Sequence, residues 1–250
     1  MHTKFYRAFT ELNEDKQPRG KRKSRFIKPE WNEVGAYLAD DYVLFDIDDK
    51  DVNCNLFFDI VSTHNLHCHI TESVHGIHAI FKKPVERLAY GNGKESLIGI
   101  KADYKCSNNK GYERIITNGN THPVIYDCDE PDILPWFLYP FGRKRYLQEV
   151  QHGNGRHNVH LDLSNVYAIY ENDPKKILDM IQWVNDNVFA EPRKSVNVTI
   201  KDVIDSINYM GREYTDKEMC DIIKNVDKNK LISLLVQYEL VNPEEVMKRD

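Results

Sequence analysis

The residues best suited to chemistry in this 250-residue chain are two aspartates at the end of an apolar run. Residues 42–47 are rich in β-prone apolar side chains, and Asp46 and Asp48 stand two positions apart at the end of that run. Because residues i and i+2 of a strand share a face, we expect both carboxylates to point the same way, with Phe45 and Ile47 buried on the other face. Carboxylate oxygens are ligands that Mg²⁺ and Mn²⁺ prefer, so the spacing favours a divalent-metal site; a strand ending in solvated aspartates has the same pattern.

Further along the chain, three segments carry polar residues at the ends or starts of apolar stretches. Ser73-Val74-His75-Gly76-Ile77-His78 forms a turn that leads into a strand and places His78 near the start of that strand. Residues 98–103 end in Asp103, and the next strand-like run, 112–117, carries Arg114. The order along the chain is therefore an aspartate pair, a histidine, a third aspartate and a basic residue.

This order of motifs resembles the archaeo-eukaryotic primase superfamily, in the primase-polymerase branch found on plasmids and phages. The resemblance covers roughly residues 1–140. It implies template-directed nucleotidyl transfer, with single-stranded DNA as template, NTPs or dNTPs as substrates and two Mg²⁺ or Mn²⁺ ions as cofactors. The catalytic and metal-binding residues that it implies are Asp46, Asp48 and Asp103. The nucleotide-binding residues that it implies are Ser73, His78, Lys101, Lys105 and Arg114.

The chemistry of nucleotidyl transfer accounts for these residue types. Two metal ions held by three carboxylates stabilise both the attacking and the leaving oxygens. Lysine, arginine and histidine neutralise the outgoing phosphates, as in other phosphoryl transfers. The chain lacks the motif G-x-x-x-x-G-K-[ST], so we expect a replicative helicase to be a separate partner or to lie beyond this sequence.

Contacts with nucleic acid are predicted from two basic segments. Residues 16–28 hold seven basic side chains and no acidic one around the turn Pro18-Arg19-Gly20, which fits either a solvated loop or a phosphate-contacting one. The formal net charge of −5 disfavours electrostatic DNA binding over the whole surface, so local patches would have to supply it. The residues assigned to nucleic acid are Arg19, Lys21, Arg22, Lys23, Arg143, Lys144, Arg145 and Arg156.

The elements that must position these residues change in type along the chain. Strands are predicted at 34–38, 42–47, 66–71, 76–82, 112–117 and 123–126, and a helix at 56–63. We expect 66–71 and 76–82 to form one hairpin, and 112–117 to pair with 123–126 around Asn118-Gly119-Asn120. Helical spacing then dominates, at 158–170, 174–188 and 199–209, after the capping box Thr215-x-x-Glu218, and at 228–238 and 243–249.

The expected fold class is therefore α+β, with two domains. By the resemblance, residues 1–145 form an RRM-like primase-polymerase catalytic core. Residues 155–250 are expected to form an all-α C-terminal domain that binds template and primer or supports initiation. The boundary is set at the basic residues 143–145 and the segment Gly153-Asn154-Gly155.

Composition excludes several classes of protein. Hydrophobic residues make up 41% and charged residues 29%, and no apolar run reaches the roughly 18 residues of a membrane span. The start, Met1-His2-Thr3-Lys4, has no apolar signal segment, and the five cysteines include no C-x-x-C pair. We expect a cytoplasmic protein with no membrane partner. The resemblance adds a bacterial or archaeal host cell and a mobile-element origin.

Other functions remain open. His67-Cys68-His69 resembles the H-hydrophobic-H motif of rolling-circle replication endonucleases, which hold one metal and use a tyrosine nucleophile, here Tyr104, Tyr167 or Tyr170. That assignment leaves the three aspartates unexplained. A zinc site among the histidines of 64–78 and Cys68 lacks the usual ligand spacing. A non-catalytic single-stranded-DNA-binding module on the same core would instead expose a row of stacking aromatic residues.

Overall fold

The computed structural model describes residues 3–20, 23–85, 88–107, 112–142, 146–151 and 156–210. Within these ranges the protein is mixed α+β, with two antiparallel sheets and four α-helices, which confirms the predicted class. Its contacts divide it into two compact units. The first contains the described residues of Met1–Glu86, Tyr90–Lys94 and Ile100–Pro140, and the second those of Arg87–Ala89, Glu95–Gly99 and Phe141–Asp250.

The predicted elements that fall within the described residues lie close to the observed ones, but the strands at 6–11, 94–96, 101–106, 120–121 and 140–141 were not predicted. In chain order the strands are β1 Tyr6–Glu11, β2 Val34–Leu38, β3 Tyr42–Ile47, β4 His69–Glu72, β5 Ile77–Lys82, β6 Lys94–Ser96, β7 Lys101–Cys106, β8 Glu113–Thr117, β9 Asn120–Thr121, β10 Val124–Tyr126 and β11 Pro140–Phe141. The helices are α1 Asn53–Thr63, α2 Arg156–Tyr167, α3 Pro174–Asn187 and α4 Ile200–Met210. The helices predicted beyond residue 210 lie outside the described residues.

The main sheet of the first unit has β3 near its centre. Five of its strands run in the order β10-β4-β5-β3-β7, and all of their pairings are antiparallel. Helix α1 covers one face, where Phe57 packs against Phe45 with ring centroids 5.5 Å apart. Residues 43–47 are all buried, which explains why all of them except Asp46 are apolar. The predicted hairpin of β4 and β5 is confirmed.

The second sheet has the order β1-β2-β8-β9 and packs against the other face of the main sheet. Leu44 and Ile80 of the main sheet form one hydrophobic cluster with Phe5 and Leu38. A second cluster holds the small sheet together internally, with Phe9, Val34, Ala36, Ile115 and Ile116. The two sheets therefore contact each other through the apolar side chains of the first cluster. Polar side chains can occupy the rest of the interface between the sheets.

The predicted pairing of 112–117 with 123–126 is wrong. Strand β8 pairs instead with β9, and β10 pairs with β4 in the main sheet. Asn118 and Gly119 both have positive φ, of 51° and 75°, which is the geometry of a two-residue hairpin turn. Such a turn forces Thr117 to pair at once with Asn120, and Pro123, which has no N–H, then ends that ladder.

The second unit is held together by helices α2, α3 and α4 and by the segment Glu95–Gly99. The Tyr167 hydroxyl donates to the backbone oxygen of Leu97 at 3.0 Å, and the Leu147 amide donates to Glu95 Oε1 at 2.7 Å. Asp173 caps α3 by accepting from the Lys175 amide at 2.9 Å. Deleting the residues after 145 would remove helices α2, α3 and α4. The segment Glu95–Gly99 would then lose the side chains against which it packs. No helix among the described residues has the length and apolarity to cross a lipid bilayer.

Candidate active site

The register of the main sheet brings Asp46, His78 and Asp103 side by side. Asp46 on β3 lies directly opposite His78 on β5 and directly opposite Asp103 on β7. Facing residues on antiparallel strands have Cβ atoms about 4.5–5.5 Å apart and share one face of the sheet. Because Phe45 faces α1, these three side chains lie on the opposite face, toward the second sheet.

Strand β7 adds two lysines to the same face. Its residues alternate between half-buried Lys101, Asp103 and Lys105 and buried side chains on the other face. The Lys105 ammonium donates to Asp46 Oδ2. The face therefore carries carboxylates and cations in contact, at the point where β3 and β7 lie beside each other.

The turn that contains Ser73 is pressed against the end of β3. The Ser73 hydroxyl accepts from the Gly76 amide at 3.0 Å, and the Ser73 amide donates to the Gly76 carbonyl at 2.9 Å. A Cβ at position 76 would overlap the backbone carbonyl of Ile47. Glycine is therefore required for this close approach, which explains the S-x-x-G spacing and sets the turn beside Asp48.

The clustered aspartates after β3 occupy three different environments. Asp46 is only 4% exposed, whereas Asp48 is exposed. Asp49 accepts hydrogen bonds from the amides of Val52 at 2.9 Å and Asp51 at 3.0 Å. These bonds, with that from the Val52 amide contributing most, lower the pKa of Asp49 and hold the turn that precedes helix α1. Asp49 thus has a structural role, and Asp46 and Asp48 remain for the site.

Two cations surround Asp46. His78 Nε2 lies 3.3 Å from Asp46 Oδ1, and Lys105 contacts Oδ2. Burial alone would raise the pKa of Asp46, but His78 and then Lys105 lower it to about 2. Burial alone would lower the pKa of His78, but Asp46 and Glu113 raise it to about 10. His78 is therefore an imidazolium at neutral pH.

The carboxylate set has the donor chemistry of a divalent-metal site. Partial desolvation, and then the negative charge of Asp46, raise the pKa of Asp48, with Asp103 adding to this effect and Lys105 opposing it, so the carboxylates of the site repel one another. Their oxygens suit Mg²⁺ or Mn²⁺. No three His, Cys, Asp or Glu side chains within the described ranges are already grouped to hold a metal ion, whether magnesium or zinc. Asp46 Oδ1 is buried and forms no hydrogen bond within the described part of the chain, so it is the oxygen that a metal ion could bind without displacing Lys105 from Oδ2.

Glu113 joins the site although the sequence did not single it out. It lies on β8 of the second sheet, and its Oε1 is 2.8 Å from Nδ1 of His78. Its neighbour Arg114 lies 3.8 Å from Glu33. Adjacent strand residues point to opposite faces, so the strand that was predicted to bring an arginine to the site brings a glutamate.

The predicted nucleic-acid residues are described only in part. Arg19 pairs with Glu11 at 2.9 Å, and the Lys23 ammonium lies 3.5 Å from the centroid of the Tyr37 ring. Lys21, Arg22, Arg143, Lys144 and Arg145 lie outside the described residues, as does the side chain of Arg156 at the start of α2.

Comparison with known proteins gives no family assignment. A scan against protein-family models finds no match for the chain, and a search of the curated proteins finds none either. The geometry of the site therefore carries the functional inference.

The charge of His78 predicts how stability depends on pH. Its folded-state pKa, about 10, exceeds the ordinary value of 6.5, so its stabilising contribution is complete below pH 6.5 and is lost as pH rises through 10. The free energy of unfolding, measured with urea, should fall by about 2 kcal/mol between about pH 7 and pH 9. The variant His78→Gln should lack this fall, and His75→Gln, at an exposed histidine before the same strand, should keep it. An equal fall in His78→Gln would contradict the assignment.

Proposed function

We propose that the chain is a primase-polymerase of the archaeo-eukaryotic primase superfamily, which makes or extends primers on single-stranded DNA. The observation that supports this most strongly is the alignment of Asp46, His78 and Asp103 on three neighbouring strands, with Lys101 and Lys105 on the same face. In this proposal the first unit is an RRM-like catalytic core. A replicative helicase, separate or part of a longer chain, would be its protein partner.

Asp46, Asp48 and Asp103 would hold two Mg²⁺ or Mn²⁺ ions through their carboxylate oxygens. Such ions, when bound, stabilise negative charge on the attacking and leaving oxygens of nucleotidyl transfer. Asp48 is the exposed member of the three and would face solvent and the incoming substrate. Asp46 is the buried member, and its fixed position between two cations favours a single geometry.

The basic side chains of the site would bind the triphosphate of an NTP or dNTP. His78 carries a full positive charge at neutral pH and donates from a buried, fixed ring. Lys105 has a flexible stem, so it can leave Asp46 for a phosphate oxygen when a substrate and metal arrive. Lys101 lies four residues earlier on the same face, and Ser73 lies in the turn next to Asp48.

The rolling-circle endonuclease fits the described residues less well. Tyr104 is buried and its hydroxyl donates to the Leu138 carbonyl at 2.7 Å. Tyr167 is also buried and bonded to a backbone carbonyl. A tyrosine nucleophile must reach a phosphodiester, and the hydroxyls of Tyr104 and Tyr167 are not placed to do so. Tyr170, the third candidate, is half-buried and remains open to this role.

The proposed function is tested by incubating the full chain with a single-stranded template, labelled nucleotides and Mn²⁺ or Mg²⁺. We expect metal-dependent products that are longer than the labelled nucleotide and that a denaturing gel resolves. Cleavage of the template with DNA attached covalently to the protein would favour the endonuclease. Template binding without synthesis under any metal condition would favour the non-catalytic module.

An exposed aromatic residue predicts how the basic segment contacts template. Phe26 is 78% exposed between exposed Arg25 and Lys28, and its backbone is held by two hydrogen bonds with the Ser24 hydroxyl, at 2.6 and 3.1 Å. Base stacking on an aromatic ring contributes about 1–3 kcal/mol, so Phe26→Ala should weaken single-stranded DNA binding about 5- to 150-fold.

Fluorescence anisotropy of a labelled oligonucleotide measures this change. Phe58→Ala provides the matched control, because Phe58 is an exposed phenylalanine on helix α1 with no basic segment around it. Equal affinities of the Phe26 variant and the unmodified protein would show that the segment does not stack bases.

A further inference from the structure

Glu113 is a buried carboxylate whose two oxygens both have partners. It is 2% exposed, Oε1 lies 2.8 Å from His78 Nδ1, and Oε2 accepts from the Tyr6 hydroxyl at 2.6 Å. Tyr6 is on β1 and Glu113 on β8, so both belong to the second sheet, whereas His78 belongs to the main sheet. The contact therefore joins the two sheets at the side of the site away from solvent.

This contact determines which nitrogen of His78 faces the site. Nδ1 lies 2.8 Å from Glu113 Oε1, so this short contact occupies that ring nitrogen. The ring then has one remaining nitrogen, Nε2, and that atom is directed toward Asp46 at 3.3 Å. The Tyr6 hydroxyl fixes Glu113 in turn, and the imidazole is held from behind by two successive hydrogen bonds.

We propose that Glu113 is a positioning residue, which orients the His78 imidazole so that Nε2 donates to the triphosphate of the incoming nucleotide. The proposal rests on the proposed function, because the nucleotide is the ligand that His78 would contact. Glu113 itself touches neither substrate nor metal. Tyr6 supports it by holding the second carboxylate oxygen.

A purely structural ion pair between two sheets is the competing explanation, and the two explanations differ in what they predict. If Glu113 only stabilises the fold, its loss lowers stability and leaves nucleotide binding unchanged in the folded protein. If Glu113 orients His78, its loss changes the environment of Nδ1 and weakens nucleotide binding while template binding persists. For histidines that ligate metal ions, loss of such a partner group costs about 10- to 100-fold in affinity or activity, and we expect an effect of this order for His78.

The experiment uses the full chain with Glu113→Gln, Tyr6→Phe and Glu95→Gln. Glu95 is as buried as Glu113, at 2%, and accepts from a backbone amide in the second unit, so it controls for the loss of a buried charge. NMR of protein labelled with ¹⁵N-histidine follows the Nδ1 proton of His78, assigned by its absence in His78→Gln. Primer-extension kinetics give kcat and the KM for nucleotide.

The expected result is an Nδ1 resonance that shifts in Glu113→Gln and stays in place in Glu95→Gln. The nucleotide KM should rise about tenfold in Glu113→Gln, with a smaller rise in Tyr6→Phe and kcat within about twofold. An unchanged resonance, or a shifted resonance with an unchanged KM, overturns the proposal. If the unmodified protein makes no product, the proposed function fails and the positioning role fails with it, whereas product with an unchanged KM in Glu113→Gln overturns the positioning role alone.

Discussion

Asparagine at position 46 or at position 48 should abolish primer synthesis, yet the two variants should differ in stability. Each change removes a carboxylate that the proposed metal ions need. Asp46→Asn also leaves His78 and Lys105 without their shared partner in a buried site, so it should lower the free energy of unfolding by about 3–5 kcal/mol. Asp48 is exposed and is repelled by Asp46 and Asp103, so Asp48→Asn should leave stability unchanged or slightly higher.

Urea unfolding and the gel assay measure both effects on the same preparations. Asp49→Asn is the matched control, because Asp49 accepts hydrogen bonds from the turn that precedes helix α1 and asparagine can form the same bonds. It should keep both synthesis and stability. Mn²⁺ should raise the melting temperature of the unmodified protein and of the control but not of the two active-site variants. Synthesis by either active-site variant at the unmodified rate would refute the metal assignment.

Local sequence signals predicted the strands more closely than the strand partners. The bounds 34–38 and 42–47 agree with β2 and β3, because each run is apolar and ends at polar turn residues. The hairpin of β4 and β5 follows from a short turn between two strands. The partners of β8 and β10 depend on which sheet each strand joins. Packing between residues that are distant in the sequence determines this, and a short sequence window does not contain that information.

The site shows the same division between local and non-local information. The order of motifs along the chain predicted Asp46, His78 and Asp103 as site residues. The register of the main sheet places Asp46 directly opposite the other two. Glu113 and Arg114 are adjacent, and only the register of the second sheet decides which of the two meets His78. The sequence pattern identifies which strand contributes to the site. The packing of the second sheet on the main sheet determines which face of that strand, and so which residue, meets His78.

His78→Gln should raise the nucleotide KM about 10- to 100-fold while single-stranded DNA affinity stays within about twofold. Glutamine fills similar space and can hydrogen-bond, but it lacks the positive charge that Asp46 and Glu113 maintain on His78. A hydrogen bond to a charged group contributes about 1.5–3 kcal/mol, and this sets the size of the expected change in KM. Template contacts are proposed for the basic segment around Phe26, which does not depend on His78.

Primer-extension kinetics at varied nucleotide concentration and anisotropy with a labelled oligonucleotide separate the two affinities. Circular dichroism establishes that the variant is folded at the assay temperature, because His78→Gln also removes buried ion pairs. His75→Gln, at an exposed histidine before the same strand, should change neither quantity. If template affinity fell sharply and the nucleotide KM did not move, His78 would belong to a nucleic-acid contact, and the triphosphate would have to be bound by Lys101 and Lys105 without it.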